Sequence, residues 1–265
     1  MCDNPPALRG TRMNDVTRIL VGAVAIACSV SVAAAPQQKK APKGFTSLFD
    51  GKDLSGWRGR QPNYNPVEEA KLSPEEHAKK QAEWNTARDA HWKVDTAKKE
   101  IVSDGQSPHL ATGKDYGDFE FYVDWLMVNH NGDSGVYLRG YPQVQVWDPD
   151  NPREVGNGAP KGSGALWNDN NDNPGKWPLV KADNPVGQWN TFRIKMVGTR
   201  VWIWLNDKVT VDGQVLDNYF DRSQPVVPRG PIELQTHGSE IRFRNIFIRE
   251  IPESEAKKTL SQPNK

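Results

Sequence analysis

GDSGVYLRGYPQVQVWD, residues 132–148, holds two alternating runs around a Gly-Tyr-Pro break. In the first run Val136 and Leu138 fall on one face, Tyr137 and Arg139 on the other. After the break, Val144 and Val146 alternate with Gln143, Gln145 and Trp147. Side chains of a strand point to opposite faces with period two, so each run reads as a half-buried β-strand. The polar face is unusual: it carries Tyr, Arg, Gln, Gln and Trp, where a solvated sheet commonly carries Lys, Glu or Thr.

Most of the remaining chain has the same period. In DFEFYVDWLMV, Phe119, Phe121, Val123 and Trp125 share one face, with Glu120, Tyr122 and Asp124 on the other. NTFRIKMVGTRVWIWLNDKVTVDG reads as a hairpin, with Phe192, Ile194 and Met196 facing Val201, Ile203 and Leu205. Trp202 and Trp204 fall on its other face. FTSLFDGKDLSGW, HWKVDTAKKEIVSDG, GPIELQTHG and IRFRNIFIREI add further short strands, the first around an Asp50-Gly51 turn. Many strands at this spacing, with almost no helix between them, predict an all-β antiparallel jelly-roll sandwich.

One segment departs from the pattern. SPEEHAKKQAEWNTARDAHW begins with Ser73 as N-cap, Pro74 at the first helical position and Glu76 closing a capping box. These signals predict a helix over about 74–90, inserted at 62–92, against a sheet edge or as a lid. His77 and His91 read as surface or helix-end residues.

The chain has 265 residues and 10 Trp, and its net charge of +1 leaves no basic excess for a nucleic-acid backbone. Arg12 and Arg18 precede the apolar, small-residue run Ile19–Ala35, the pattern of a secretory signal peptide over 1–35. Its length and composition argue against a permanent span, so the mature chain is expected to have no transmembrane segment. The expected location is periplasmic or secreted. AIAC, ending at Cys28, loosely matches a lipoprotein box and offers the alternative of a lipid anchor. Residues 36–43 read as a flexible spacer, 44–252 as the sandwich and 253–265 as a C-terminal tail.

A loop rich in Asn, Asp, Gly and Pro runs from Pro149 to Pro185. Its DNNDN, residues 169–173, lacks the glycine and distal glutamate of an EF-hand and reads first as turn chemistry. The chain contains no phosphate loop, no G-x-S-x-G, no H-E-x-x-H and no Cys-based metal site.

A polar face of aromatic, amide and guanidinium groups suits a sugar: rings stack on pyranose faces while amides and guanidinium groups pair with vicinal hydroxyls. The candidates are Glu120, Tyr122, Tyr137, Arg139, Gln143, Gln145, Trp147, Trp202, Trp204, Glu233, Gln235 and His237. Any single aromatic among them also reads as sheet cover. The E-x-D-x-x-E acids of sandwich glucanases are absent, so a two-carboxylate glycosidase is poorly supported.

Five blocks resemble one family in the right order: GFTSLFDGKDLSGW, YGDFEFYVDW, GDSGVYLRGYPQVQVWD, PVGQWNTFRIKMVGTRVWIWLNDKVTVD and GPIELQTHGSEIRFRNIFIREI. The chain resembles the 3-keto-disaccharide hydrolases from Gly44 to Ile251, apart from the helical insertion. The resemblance implies a concanavalin-A-like jelly roll acting on 3-keto sugars in the bacterial periplasm. A C3 ketone acidifies the C2 hydrogen, so a base can remove it, the C1 substituent leaves, and water adds back. On the matching blocks, His237, Glu233 or Asp148 is expected as base or metal ligand, with Arg139 on the enolate or a ring hydroxyl. Gln145 and Gln235 are expected to orient the sugar, beside Tyr137, Gln143, Trp147 and Glu120. A divalent metal held by Asp148, Glu233 and His237 would serve the enolate. Many similar chains carry Glu where Gln143 stands. The alternative is a non-catalytic, lectin-like glycan-binding module, which would bind without turnover.

Overall fold

The computed structural model describes residues 38–262, so the expected leader, its cleavage site and Cys28 lie outside the described residues. In chain order the elements begin with β1 (Thr46–Ser47), β2 (Trp57–Arg60), α1 (Pro66–Glu69), α2 (Pro74–His91), β3 (Trp92–Asp95) and β4 (Glu100–Ser103). The middle contains β5 (His109–Thr112), β6 (Phe119–Met127), β7 (Asp133–Tyr137) and β8 (Gln143–Trp147). The chain closes with β9 (Asn190–Val197), β10 (Arg200–Leu205), β11 (Lys208–Val215), β12 (Glu233–Leu234), β13 (Ile241–Glu250) and α3 (Glu253–Leu260). Among the described residues, no helix is long and apolar enough to cross a membrane.

The strands form two antiparallel sheets, as the alternation predicts. The larger runs β11-β10-β9-β6-β13-β4-β3, with β1 on β13; the smaller runs β2-β5-β12-β7-β8. One core lies between them. Phe119, Phe121, Val123, Phe192, Ile194, Val201 and Ile203 from the large sheet meet Leu110, Val136, Val144, Val146 and Leu234 from the small one. Burial of apolar surface on this scale is the main stabilising contribution to a sandwich.

The inserted helix forms with its capping box intact: Ser73 N donates to Glu76 Oε2 at 2.9 Å and Glu76 N to Ser73 Oγ at 3.3 Å. It covers an edge. Strand β2 ends the small sheet, and an unpaired edge invites association unless it is covered. Side chains of α2 satisfy the β2 backbone directly. Gln81 donates to Gly59 O, Asn85 accepts from Gly59 N, and Arg88 donates to Trp57 O at 2.6 Å. Only glycine permits this approach, because a Cβ at Gly59 would lie 2.1 Å from the Trp84 carbonyl oxygen. The other edge of the small sheet is covered by the long loop. Gln145 N donates to Ala165 O, Gly164 N donates to Gln145 O, and Val144 bridges Leu166.

Two further segments are more ordered than their composition suggests. In the segment read as a spacer, Lys39 is pinned to the outer face of the large sheet, its Nζ 3.0 Å from Asp124 Oδ1 and its N donating to Asn245. The expected tail begins with α3, which packs Ala256 beside Ile251, Val197 and Trp202. Trp202 and Trp204 are therefore cover for the large sheet, Trp204 lying under Arg193 at 4.6 Å, and neither belongs to a sugar face.

Candidate active site

The polar residues of β7, β8 and β12 share the outer face of the small sheet. In the register, Tyr137 stands between Glu233 and Gln143, and Gly135 stands beside Gln145. All of β8 and most of β7 are nonetheless buried on both faces. The long loop and the insertion rise around them, so the sheet face becomes the floor of a cavity of about 270 Å³. Its floor carries Asp133, Tyr137, Gln143, Gln145 and Gln235, with His237 at the rim. Asn63 from the insertion, Glu154, Trp167 and Asn168 from the loop, and Tyr219 form the walls. Asn168 is fixed at both ends of its amide, accepting from Gln143 N at 2.9 Å and donating to Tyr141 O at 2.7 Å.

A continuous relay crosses the floor. Gln143 Nε2 donates to Gln235 Oε1 at 2.8 Å and to Gln145 Oε1 at 2.7 Å. Gln145 Nε2 donates to Asp133 Oδ1, and Asp133 Oδ2 lies 2.8 Å from His237 Nδ1. Gly135 allows the glutamines to meet, since a Cβ there would lie 2.6 Å from Gln143 Nε2 and 2.9 Å from Gln235 Oε1. The bond to Asp133 raises the His237 imidazole above its ordinary range, although partial burial opposes it. With Nδ1 engaged, Nε2 is the nitrogen that remains for proton transfer. Tyr137 donates to Asn63 Oδ1 at 3.3 Å, and burial, then the charge of Glu233, push its hydroxyl well above the ordinary value. It is a neutral donor at any physiological pH.

Tyr137, Gln143, Gln145, Gln235 and His237 thus meet at one cavity. The other expected residues do not reach it. Strand β7 ends at Tyr137, and Arg139 takes a left-handed backbone, φ 52°, which turns its side chain out of the alternation. Its guanidinium instead donates to the carbonyls of Gly117, Gly198 and Val227 and pairs with Asp118 at 2.9 Å. Arg139 is a buried brace between loops, and the enolate role does not stand. Glu120 lies on the large sheet, on the far side of the core, between Arg193 and Arg249. Trp147 is roofed by the loop with Ala159, Ala165 and Trp177. Asp148, beyond the end of β8, accepts from Asn131 N and Asp150 N and meets His130. Burial works to raise its carboxyl, but these bonds hold it below its ordinary value. Glu233 is on the right face beside Tyr137 but is buried outside the cavity, bound to Arg60 Nη1 at 2.6 Å and to His109 at 3.2 Å. Asp148, Glu233 and His237 are thus committed to three separate partners and do not form a metal-ligand set. Among the described residues, no group of three His, Cys, Asp or Glu side chains is placed to hold an ion. In DNNDN, the Lys176 ammonium donates to Asp169 O and Asn171 Oδ1 at the centre of the turn.

Seven cavity residues escape a reading by strand period: Asp133 and the loop residues Asn63, Glu154, Asn157, Trp167, Asn168 and Tyr219. Asp133 sits at the first position of β7, before the alternation becomes visible, although its parity with Tyr137 marks the face. The other six come from loops, where no period exists to place them.

The model of the 3-keto-alpha-glucoside-1,2-lyase-like domain matches residues 44–249. The chain belongs to this family. The match spans both sheets and the whole cavity floor. Two solved structures of glycosyl hydrolase candidates from Parabacteroides distasonis ATCC 8503 share the fold. One is 21% identical, with a TM-score of 0.56 over 79% of this chain and 94% of that one. The other is 22% identical, with a TM-score of 0.51 over 78% and 99%. Among curated proteins, no sequence matches this chain.

Proposed function

We propose that the cavity binds the keto ring of a 3-keto-glycoside and that His237, held by Asp133, removes its C2 proton. The observation that carries this reading is the Asp133–His237 pair on a floor of hydrogen-bonding amides, within a family named for 3-keto-glucoside lysis. Neutral His237 takes the C2 proton through Nε2, and the C–H pair becomes an enolate. The Tyr137 hydroxyl is the neutral donor suited to the enolate oxygen. The C1–O bond then breaks, its pair leaves on the glycosidic oxygen, and that oxygen takes the proton back from the imidazolium. The ring is left as a C1=C2 enone. Water adds at C1 and a proton at C2, giving the free 3-keto sugar. Gln145, Gln143 and Gln235 orient the ring hydroxyls. A base whose basicity is raised by a carboxylate suits a carbon acid of this kind.

The test is sugar release by the purified protein from 3-keto-trehalose and methyl 3-keto-glucoside, beside their unoxidised parents. Release from the keto substrates alone supports elimination. Binding of the sugars without any release, by folded protein, overturns it in favour of the lectin-like module. The leader pattern carries a separate proposal: export to the periplasm or medium, by cleavage after the apolar run or at a lipid-modified Cys28. The intact mass of the mature protein decides between these, and an unprocessed chain sinks both.

A further inference from the structure

A second cavity, of about 510 Å³, adjoins the first and shares Asn157, Trp167, Asn168 and Tyr219 with it. That volume lies in the range of small-molecule sites, about 300–1,000 Å³. The proposed chemistry leaves it without a role. The two cavities meet at two large aromatic rings, Trp167 (36% exposed) and Tyr219 (47% exposed). Such rings are candidates to stack on a flat or pyranose ring. Beyond them lie donors that are incompletely used. Arg222 reaches Asp217 Oδ2 and Asn168 O only at 3.4 Å each. Lys176 spends two donors on Asp169 O and Asn171 Oδ1, and an ammonium has three. Gly156 lines the same cavity and faces open space.

We infer that this second cavity is the leaving-group subsite, built for a ring that carries hydroxyl groups, either a second sugar or a hydroxylated aryl aglycone. The inference rests on the elimination reading, which places the C1 substituent next to the keto ring. It goes beyond that reading by stating what the enzyme selects in the departing half. The shared aromatic rim stacks the leaving ring, and Arg222 and Lys176 hydrogen-bond its hydroxyls.

Gly156→Trp provides the test, because Gly156 lines the second cavity and not the first, and the open space around it admits a larger side chain. Three substrates are compared: methyl 3-keto-glucoside, 3-keto-trehalose and a dihydroxyphenyl 3-keto-glucoside. Ratios of variant to wild type cancel differences in leaving ability. The expected result is a fall of about tenfold or more in kcat/KM for both ring-bearing substrates, about 1.4 kcal/mol. The methyl glycoside is expected to change less than about twofold, which is under about 0.5 kcal/mol. Arg222→Ala, at an exposed site, repeats the comparison should Gly156→Trp fail to fold, and it is expected to lower kcat/KM for the ring-bearing substrates alone. Equal effects on all three substrates, or none, overturn the subsite while leaving the elimination reading intact. Turnover of no keto substrate by the wild type overturns the elimination reading and the subsite with it.

Discussion

Asp133→Asn is the substitution that most directly tests the site. It keeps the shape of the side chain but removes the charge that His237 Nδ1 faces at 2.8 Å. Two arrangements are open to the variant. If the new amide nitrogen faces His237, Nδ1 must accept, the ring proton moves to Nε2, and the base is lost. General-base catalysis is worth about 10²–10⁴-fold, so kcat falls by that order. If the amide turns its oxygen to His237, then Gln145, Gln143 and Gln235 must all invert, because each donates or accepts in one sense along the relay. The tautomer then survives and only the charge is lost. The His237 side chain is 60% exposed, so solvent screening leaves this term at about 1 kcal/mol, roughly fivefold. The loss is therefore about fivefold at least. The assay is the pH dependence of kcat/KM for a 3-keto-glycoside. Asp133 raises the His237 value, so the acid limb of the profile must move to lower pH in the variant. Stability follows the same sign. The folded-state value lies above the unfolded one, so the pair stabilises fully below about pH 6.5 and fades as pH rises through the raised value. A variant with unchanged rate and an unmoved acid limb would refute the assignment of His237 as base.

Three other substitutions separate the site from its scaffold. Arg139→Ala strands Asp118 and three loop carbonyls, so it is expected to cost about 3–5 kcal/mol in denaturant unfolding; normal stability with abolished turnover would return Arg139 to the site. Gly135→Ala forces a Cβ to within 2.6 Å of Gln143 Nε2, costing about 1–3 kcal/mol, with sugar affinity measured by calorimetry falling alongside stability; intact affinity would show that the glutamine relay does not bind the ring. Gln143→Glu removes the donor that Gln145 and Gln235 share and adds a negative charge near Asp133, so the acid limb of the pH–rate profile should move to higher pH; an unmoved limb argues against coupling along the relay.

The fold was legible because alternation survives wherever one face is buried. Phe119 to Trp125, Phe192 to Met196 and Val201 to Leu205 point to the core in the parity the sequence predicts. Ser73 and Glu76 likewise announce the helix through purely local hydrogen bonds. Part of the candidate cavity's floor was legible for the same reason: Tyr137, Gln143, Gln145 and Gln235 share a parity on or beside adjoining strands. Period two, however, assigns a residue to one of two faces without saying which sheet bears it. Glu120 has the parity of a site residue and lies across the core from the site. Alternation also fails silently where a strand ends: one left-handed residue at 139 turns a guanidinium from the cavity into the scaffold.

By itself, then, the sequence determined most of the strands, their inward faces, the capped insertion and the polar set on the middle hairpin, all consequences of local geometry and burial, whereas the short β5 (His109–Thr112) gave no alternating signal. Only the tertiary structure decided that the insertion covers an edge, that Glu233 is buried against Arg60 and His109, and that Asp133 meets His237. Each of these joins residues distant in sequence, Asp133 and His237 being 104 positions apart. Contacts of that kind depend on how the two sheets and the long loop pack together, which no local pattern encodes.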